Sequence, residues 1–256
     1  MVRLSLFVCA ATTEPTSAQF VWSGIGSFAT AATNFAFDTY VSSPDFNLAG
    51  TNPDSWQDKL GNAATQQDAT WEFAFRPGDF TGSHHLFNTG GNGDGTAFLL
   101  NGDTLEFRFQ DNSTAAQRVF MSHQLTGDSD EFYHVVGTAD VESLAAGIGV
   151  LYVNGELVDG PLTSTGTIDD WDGGDLANLG GASESFNIPG GTSVAFDAFN
   201  GDIAFFRYYQ DTIFDQGQVD EAFAALAVPE PASIAIWSII GLGMFGFGYR
   251  KLRRKK

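Results

Sequence analysis

Near its end the chain carries an apolar run, Ala232 to Tyr249, in which no residue is charged. As a helix this run would extend about 27 Å at about 1.5 Å per residue, close to the hydrocarbon thickness of a bilayer. It is closed off by Arg250-Lys251-Leu252-Arg253-Arg254-Lys255-Lys256. A buried core helix gives no reason for that cationic end. Positive residues stay on the cytoplasmic side, so the pattern predicts a transmembrane helix over 232–249 with a cytoplasmic C-terminus and the rest of the chain outside. Gly241, Gly243, Gly246 and Gly248 are tolerated in such a helix and could favour helix association.

The other end supports export. Arg3 precedes an apolar stretch from Leu4 to Ala11, and a short polar segment ends in Thr16-Ser17-Ala18. A charge, an apolar core and a small-residue cleavage site predict a signal peptide over residues 1–18. Cys9, the single cysteine, falls inside it. The mature domain would then have no disulfide, no thiolate chemistry and no cysteine-based metal site.

Between the two ends lies a strongly acidic segment. Of the 12 Lys and Arg residues, only Lys59, Arg76, Arg108, Arg118 and Arg207 lie there, against all but two of the 31 Asp and Glu residues. Such a surface repels phosphate backbones, which argues against a nucleic-acid partner. It suits hard cations, calcium above all, which take oxygen ligands; it also serves simply to keep an exported protein soluble. With 24 Phe and a hydrophobic share of 43% the segment can bury a core, so disorder is excluded.

Strand signals recur along this segment. Thr70 to Phe75 puts Trp71, Phe73 and Phe75 on one face. Thr104 to Gln110 alternates, with Leu105, Phe107 and Phe109 on one side and Glu106, Arg108 and Gln110 on the other, as in a half-buried antiparallel strand. Residues 131–139, 147–153 and 202–210 read as further strands, and Asn154-Gly155 is a two-residue hairpin turn. A helix is expected over 215–226, capped by Asp215 with Gln218 three residues on, with Val219, Phe223 and Leu226 as its apolar stripe. His84-His85 reads as a turn, and His134 as a structural residue in a strand. The fold class expected is all-β, an antiparallel β-sandwich over residues 19–226 with a C-terminal transmembrane helix.

Val228-Pro229-Glu230-Pro231, the apolar span and the basic end closely resemble the PEP-CTERM sorting signal, covering residues 227–256. The resemblance implies secretion, then recognition by an exosortase, a membrane cysteine protease that cuts near Pro-Glu-Pro and releases or re-anchors the protein at the envelope or in extracellular polysaccharide. Both prolines disfavour regular helix and sheet pairing, which leaves the stretch extended and accessible. In the central segment, Trp71-Glu72-Phe73-Ala74-Phe75-Arg76-Pro77, Leu86-Phe87-Asn88, Ala97 to Leu100, Phe132 to Gly137, Val150 to Leu157 and Phe199 to Tyr209 occur in the order of the LamG-like, or concanavalin A-like, jelly-roll domains and are similar to them.

That resemblance implies a sandwich that binds carbohydrate or another envelope component. It also implies a calcium ion at the sandwich rim, with Asp202 beside Asn200 as ligands; the N-terminal partner, Asp38 or Asp54, is left open. Trp171 and Trp56 are candidate aromatic platforms for a sugar, or caps at the edge of the core. No catalytic constellation is visible. There is no Glu-x-Asp-x-Glu strand, no His-Glu-x-x-His helix and no nucleophile elbow, and the clusters Asp128-Ser129-Asp130-Glu131 and Asp169-Asp170-Trp171-Asp172 read as solvated turns. The expected function is non-catalytic binding at the envelope or in the extracellular matrix. The alternatives are an envelope glycoside hydrolase on the same fold and a permanently membrane-anchored structural protein.

Overall fold

The computed structural model describes residues 20–23, 28–30, 35–37, 41–42, 68–88, 95–111, 114–141, 146–168, 178–180, 186–187, 193–194 and 197–227. The candidate residues Trp56 and Trp171, the sorting residues Val228, Pro229, Glu230 and Pro231, the leader 1–18 and the span 232–249 lie outside them. Among the described residues no helix is long and apolar enough to cross a membrane.

Two antiparallel sheets form a sandwich. The first contains β1 (Phe20–Ser23), β17 (Gly201–Gln210), β5 (Ala69–Pro77), β10 (Tyr133–Asp140), β11 (Ile148–Val153) and β12 (Glu156–Thr163) in that order, with β4 (Val41–Ser42) also paired to β17. The second runs β13 (Asn178–Leu179), β6 (Ser83–Asn88), β7 (Gly95–Asn101), β8 (Thr104–Gln110) and β9 (Arg118–Gln124), and β16 (Asp197–Ala198) joins β6 in parallel. Two small hairpins add β2 (Phe28–Thr30) to β3 (Phe35–Phe37), and β14 (Phe186–Asn187) to β15 (Ser193–Val194). The chain passes from β5 into the second sheet, returns at β10, and closes with β17 beside β5, so both sheets share one core.

Period-two alternation sets which residues fill that core. Trp71, Phe73 and Phe75 of β5 and Phe206 and Tyr208 of β17 face Phe98 of β7, Phe107 and Phe109 of β8 and Met121 of β9, all buried. Phe98 and Phe107 stack at 4.3 Å with 5° between their planes. Their edges press on β10 at Gly137, where an added Cβ would lie 2.8 Å from Phe98 Cε1 and 2.9 Å from Phe107 Cε1. A side chain there would collide with close-packed rings.

The outer face of the first sheet is covered by helix α1 (Gln216–Ala227). Its N-terminus forms a reciprocal capping box: Gln218 N donates to Asp215 Oδ1 at 2.9 Å, and Asp215 N donates to Gln218 Oε1 at 3.0 Å. Val219 and Leu226 are buried. The Phe223 ring lies against Gly155, whose φ of 82° together with Asn154 at 52° makes the expected tight hairpin between β11 and β12. Gln216 Nε2 donates to Gly155 O at 2.7 Å and ties the helix start to the same turn.

Beneath α1 a charged network joins three strands. Glu72 of β5 accepts hydrogen bonds from His134 Nε2 of β10 at 3.1 Å and from Arg207 Nη1 of β17 at 2.9 and 3.2 Å. The Tyr209 hydroxyl donates to Glu72 Oε2 at 2.7 Å. Burial alone would raise the Glu72 carboxyl. The His134 hydrogen bond, the Arg207 charge and Tyr209 outweigh it and bring the carboxyl down to about 2. Burial and then the Glu72 charge push the Tyr209 phenol up. His134 therefore has the structural role read from its strand position.

Candidate functional site

The polar cluster that stands out lies on the outer face of the second sheet. Register places four cross-strand rows there. His85 lies opposite Leu99, Leu99 opposite Glu106, and Glu106 opposite Ser122. Asn88 lies opposite Ala97, Ala97 opposite Arg108, and Arg108 opposite Phe120. Gln110 lies opposite Arg118 in a third row, and Ser83, Asn101, Thr104 and Gln124 make the fourth.

Outward residues of an antiparallel sheet are ordinarily wet. Here they are not. His85, Asn88, Arg108 and Gln110 are 0% exposed, Glu106 is 7% and Arg118 is 9%. The sequence pattern made Glu106, Arg108 and Gln110 the solvent side of a half-buried strand; their burial corrects that. The turn expected at His84-His85 is corrected too, because both histidines lie in β6 and its alternation turns His85 outward beside Leu99. A single strand shows two faces but not what covers either, and neither His85 nor Asn88 can be joined to β8 without the register. The one sequence signal was three polar residues in alternation on β8.

The side chains hold one another in place. Asn88 Nδ2 is 2.6 Å from His85 Nδ1 and donates to it, which fixes the second ring nitrogen, Nε2, as the one that carries hydrogen on a neutral His85. Arg118 Nε donates to Gln110 Oε1 at 2.6 Å. Glu106 Oε1 receives only a long contact of 3.5 Å from Asn101 Nδ2, and its Oε2 is buried with no hydrogen-bond partner. Burial drives the His85 imidazole down to about 3, helped by the Arg108 charge, so it is neutral at physiological pH. Burial raises the Glu106 carboxyl, with Asn101 and Arg108 opposing. Arg108 is lowered to about 9 by burial, against the pull of Glu106, and stays charged at neutral pH. The result is a dry platform with a carboxylate, two guanidinia, two amides and a neutral imidazole. Groups of this kind can hydrogen-bond a polyhydroxylated ligand, but at 0–9% exposure they are covered as placed, so a ligand reaches them only if that cover moves.

The calcium ligands read from the sequence are placed differently. Arg76 Nε donates to Asp202 Oδ2 at 2.8 Å, and its Nη2 reaches the same oxygen. Asn200 Nδ2 donates to Asp79 Oδ2 at 3.2 Å. Among the described residues no three His, Cys, Asp or Glu side chains converge on a metal position. A guanidinium on the carboxylate does what a cation would do there; Asp38 and Asp54, the other carboxylates named for the ion, lie outside the described residues. The acidic stretch 128–131 lies in a turn, as read, with the Tyr133 hydroxyl donating to Asp128 O at 3.1 Å.

Two facing antiparallel sheets packed across an apolar seam define a concanavalin A-like sandwich. The chain belongs to the concanavalin A-like lectin/glucanases superfamily, whose laminin G-type model matches residues 28–216. Residues 227–255 match the PEP-CTERM protein-sorting motif. Among solved structures, the Ruminococcus gnavus IT-sialidase CBM40 superposes with a TM-score of 0.52 at 13% identity, covering 81% of this chain and 100% of that one. The same domain bound to α2,3-sialyllactose gives 0.50 at 16% identity, covering 81% and 100%. A leech intramolecular trans-sialidase complexed with 2,7-anhydro-Neu5Ac gives 0.50 at 15% identity, with 82% of this chain matching 28% of the enzyme. At these identities the likeness is one of fold. No match was found among curated proteins.

Proposed function

We propose that the protein is exported, sorted by an exosortase through its C-terminal signal, and displayed at the envelope or in the extracellular matrix, where its sandwich binds carbohydrate without catalysis. The secretion machinery and the exosortase are its processing partners. The 232–249 span threads the membrane, transiently or permanently, with the basic end cytoplasmic. The observation that carries the binding reading is the dry polar platform of the second sheet. Burying a carboxylate and guanidinia on an outer sheet face costs stability, which is why that layer, rather than the apolar seam, is the proposed recognition surface. Glu106 Oε2 is buried with no hydrogen-bond partner among the described residues, so it is the acceptor proposed for a sugar hydroxyl once that face is uncovered. The sialyllactose-bound neighbours of the same fold make glycans the class to test.

A second reading, a glycoside hydrolase, rests on Glu106 being a carboxyl on that face that burial makes less acidic, the direction a general acid requires. The test uses the intact chain in detergent, passed over immobilised polysaccharides. Retention should be saturable and should fall at least tenfold in Glu106→Gln and in Arg108→Met while both variants still melt cooperatively. Failure of every polysaccharide to retain the chain, or equal retention of both variants, would overturn the platform as a binding site. Steady release of reducing ends, abolished in Glu106→Gln, would replace binding by hydrolysis.

A further inference from the structure

The sorting signal follows the folded domain with no spacer. Leu226 is 2% exposed and packs with Ala74, Phe132, Ala204 and Phe205 on the outer face of the first sheet. Helix α1 continues to Ala227, and the sorting motif matches from residue 227 onward. Sequence explains why the helix stops there: Val228 precedes Pro229, and the residue before a proline is driven out of helical conformation. Only Ala227 and Val228 therefore separate the last packed side chain from the Pro-Glu-Pro segment. Fully extended, the chain from Leu226 to Pro229 reaches at most about 11 Å.

A protease groove holds its substrate as an extended strand on both sides of the bond it cuts. The residues just before Val228 cannot be extended while Leu226 is docked. We propose that Leu226 is a positioning residue for tail processing: with the last turn of α1 docked, the residues before Val228 stay helical and cannot enter an extended groove, and the cut proceeds through the state in which that turn has opened. This rests on the sorting reading above. It adds no chemistry to the cut, in which the bond beside the motif breaks, its carbonyl carbon passes to the enzyme's nucleophile and its nitrogen takes up a proton. The folded domain would thereby set the rate at which its own anchor is removed. Helix ends are the regions where such local opening is cheapest.

The experiment reconstitutes the full-length chain with its exosortase in phosphatidylethanolamine–phosphatidylglycerol vesicles and follows loss of the basic end by mass. Leu226→Ala should speed tail loss roughly tenfold or more, the order set by no longer burying most of a leucine side chain. Leu226→Met should return it to near the parent rate. Inserting Gly-Ser-Gly-Ser between Ala227 and Val228 should speed it in the parent but add little in Leu226→Ala. A purely structural Leu226 would lower the melting temperature in Leu226→Ala and leave the rate of tail loss unchanged, which overturns the proposal. Acceleration by the insertion with Leu226→Ala inert would assign the effect to steric clearance and overturn it as well. If no form of the chain is cut, the sorting reading itself fails, a result distinct from both.

Discussion

Glu72→Gln tests the charged network under helix α1. The substitution keeps the shape of the side chain and removes its charge, leaving His134 and Arg207 without their carboxylate. A carboxyl drawn from 4.5 to about 2 stabilises the folded state by about 3 kcal/mol once ionised, since each tenfold change in its acidity is worth about 1.4 kcal/mol. Breaking a buried ion pair by removing one partner costs about 3–5 kcal/mol. The Arg207 side chain is 28% exposed and can turn toward water, so the lower end of that range applies. The sign follows from the depressed carboxyl: its contribution is complete above about pH 4.5 and is lost as pH falls through about 2. Urea unfolding followed by tryptophan fluorescence at pH 7, 4 and 2 measures it. The parent should exceed the variant by about 3 kcal/mol at pH 7, and the gap should shrink steadily toward pH 2. A gap of the same size at all three values would mean that packing, not charge, holds the network, and a gap under about 1 kcal/mol at pH 7 would refute it outright.

Further consequences are open to simple measurement. Gly137→Ala should destabilise by about 1–3 kcal/mol in urea, because the new methyl meets the Phe98–Phe107 stack; an unchanged midpoint would show that the stack yields. Asp215→Ala removes the acceptor for Gln218 N and should lower stability by about 1 kcal/mol, with Asp215→Asn restoring most of it. Calcium against chelator should leave the melting temperature unchanged, since Arg76 already neutralises Asp202; a rise of several degrees would show that the ion displaces the guanidinium.

Much of the sandwich is legible in the sequence because its signals are local. The alternation in Thr104–Gln110, the Asn154-Gly155 turn and the Asp215–Gln218 cap each depend on residues a few positions apart, and all three are found where expected. The buried networks depend on partners far along the chain. Glu72 meets His134 and Arg207 across 62 and 135 positions. In its own strand it looks like a wet residue between Trp71 and Phe73, yet it is fully buried among His134, Arg207 and Tyr209. The platform is hidden in the same way: β8 shows three polar residues in alternation, but the row through His85 and the row through Asn88 exist only once β6, β7 and β8 are in register. The family resemblance makes Asp202 a candidate metal ligand, and its pairing to Arg76 appears only when β17 is laid against β5, where the two residues are direct partners.

Where a glycan sits decides whether the outer face of the second sheet is the binding face. Crystals of the chain with the polysaccharide fragment it retains most strongly would locate it. The sugar is expected on the outer face of the second sheet, with a hydroxyl on Glu106 Oε2 and a hydrogen bond from the Arg108 guanidinium. A fragment bound elsewhere, with Glu106 and Arg108 untouched, would contradict the assignment of that face as the binding site.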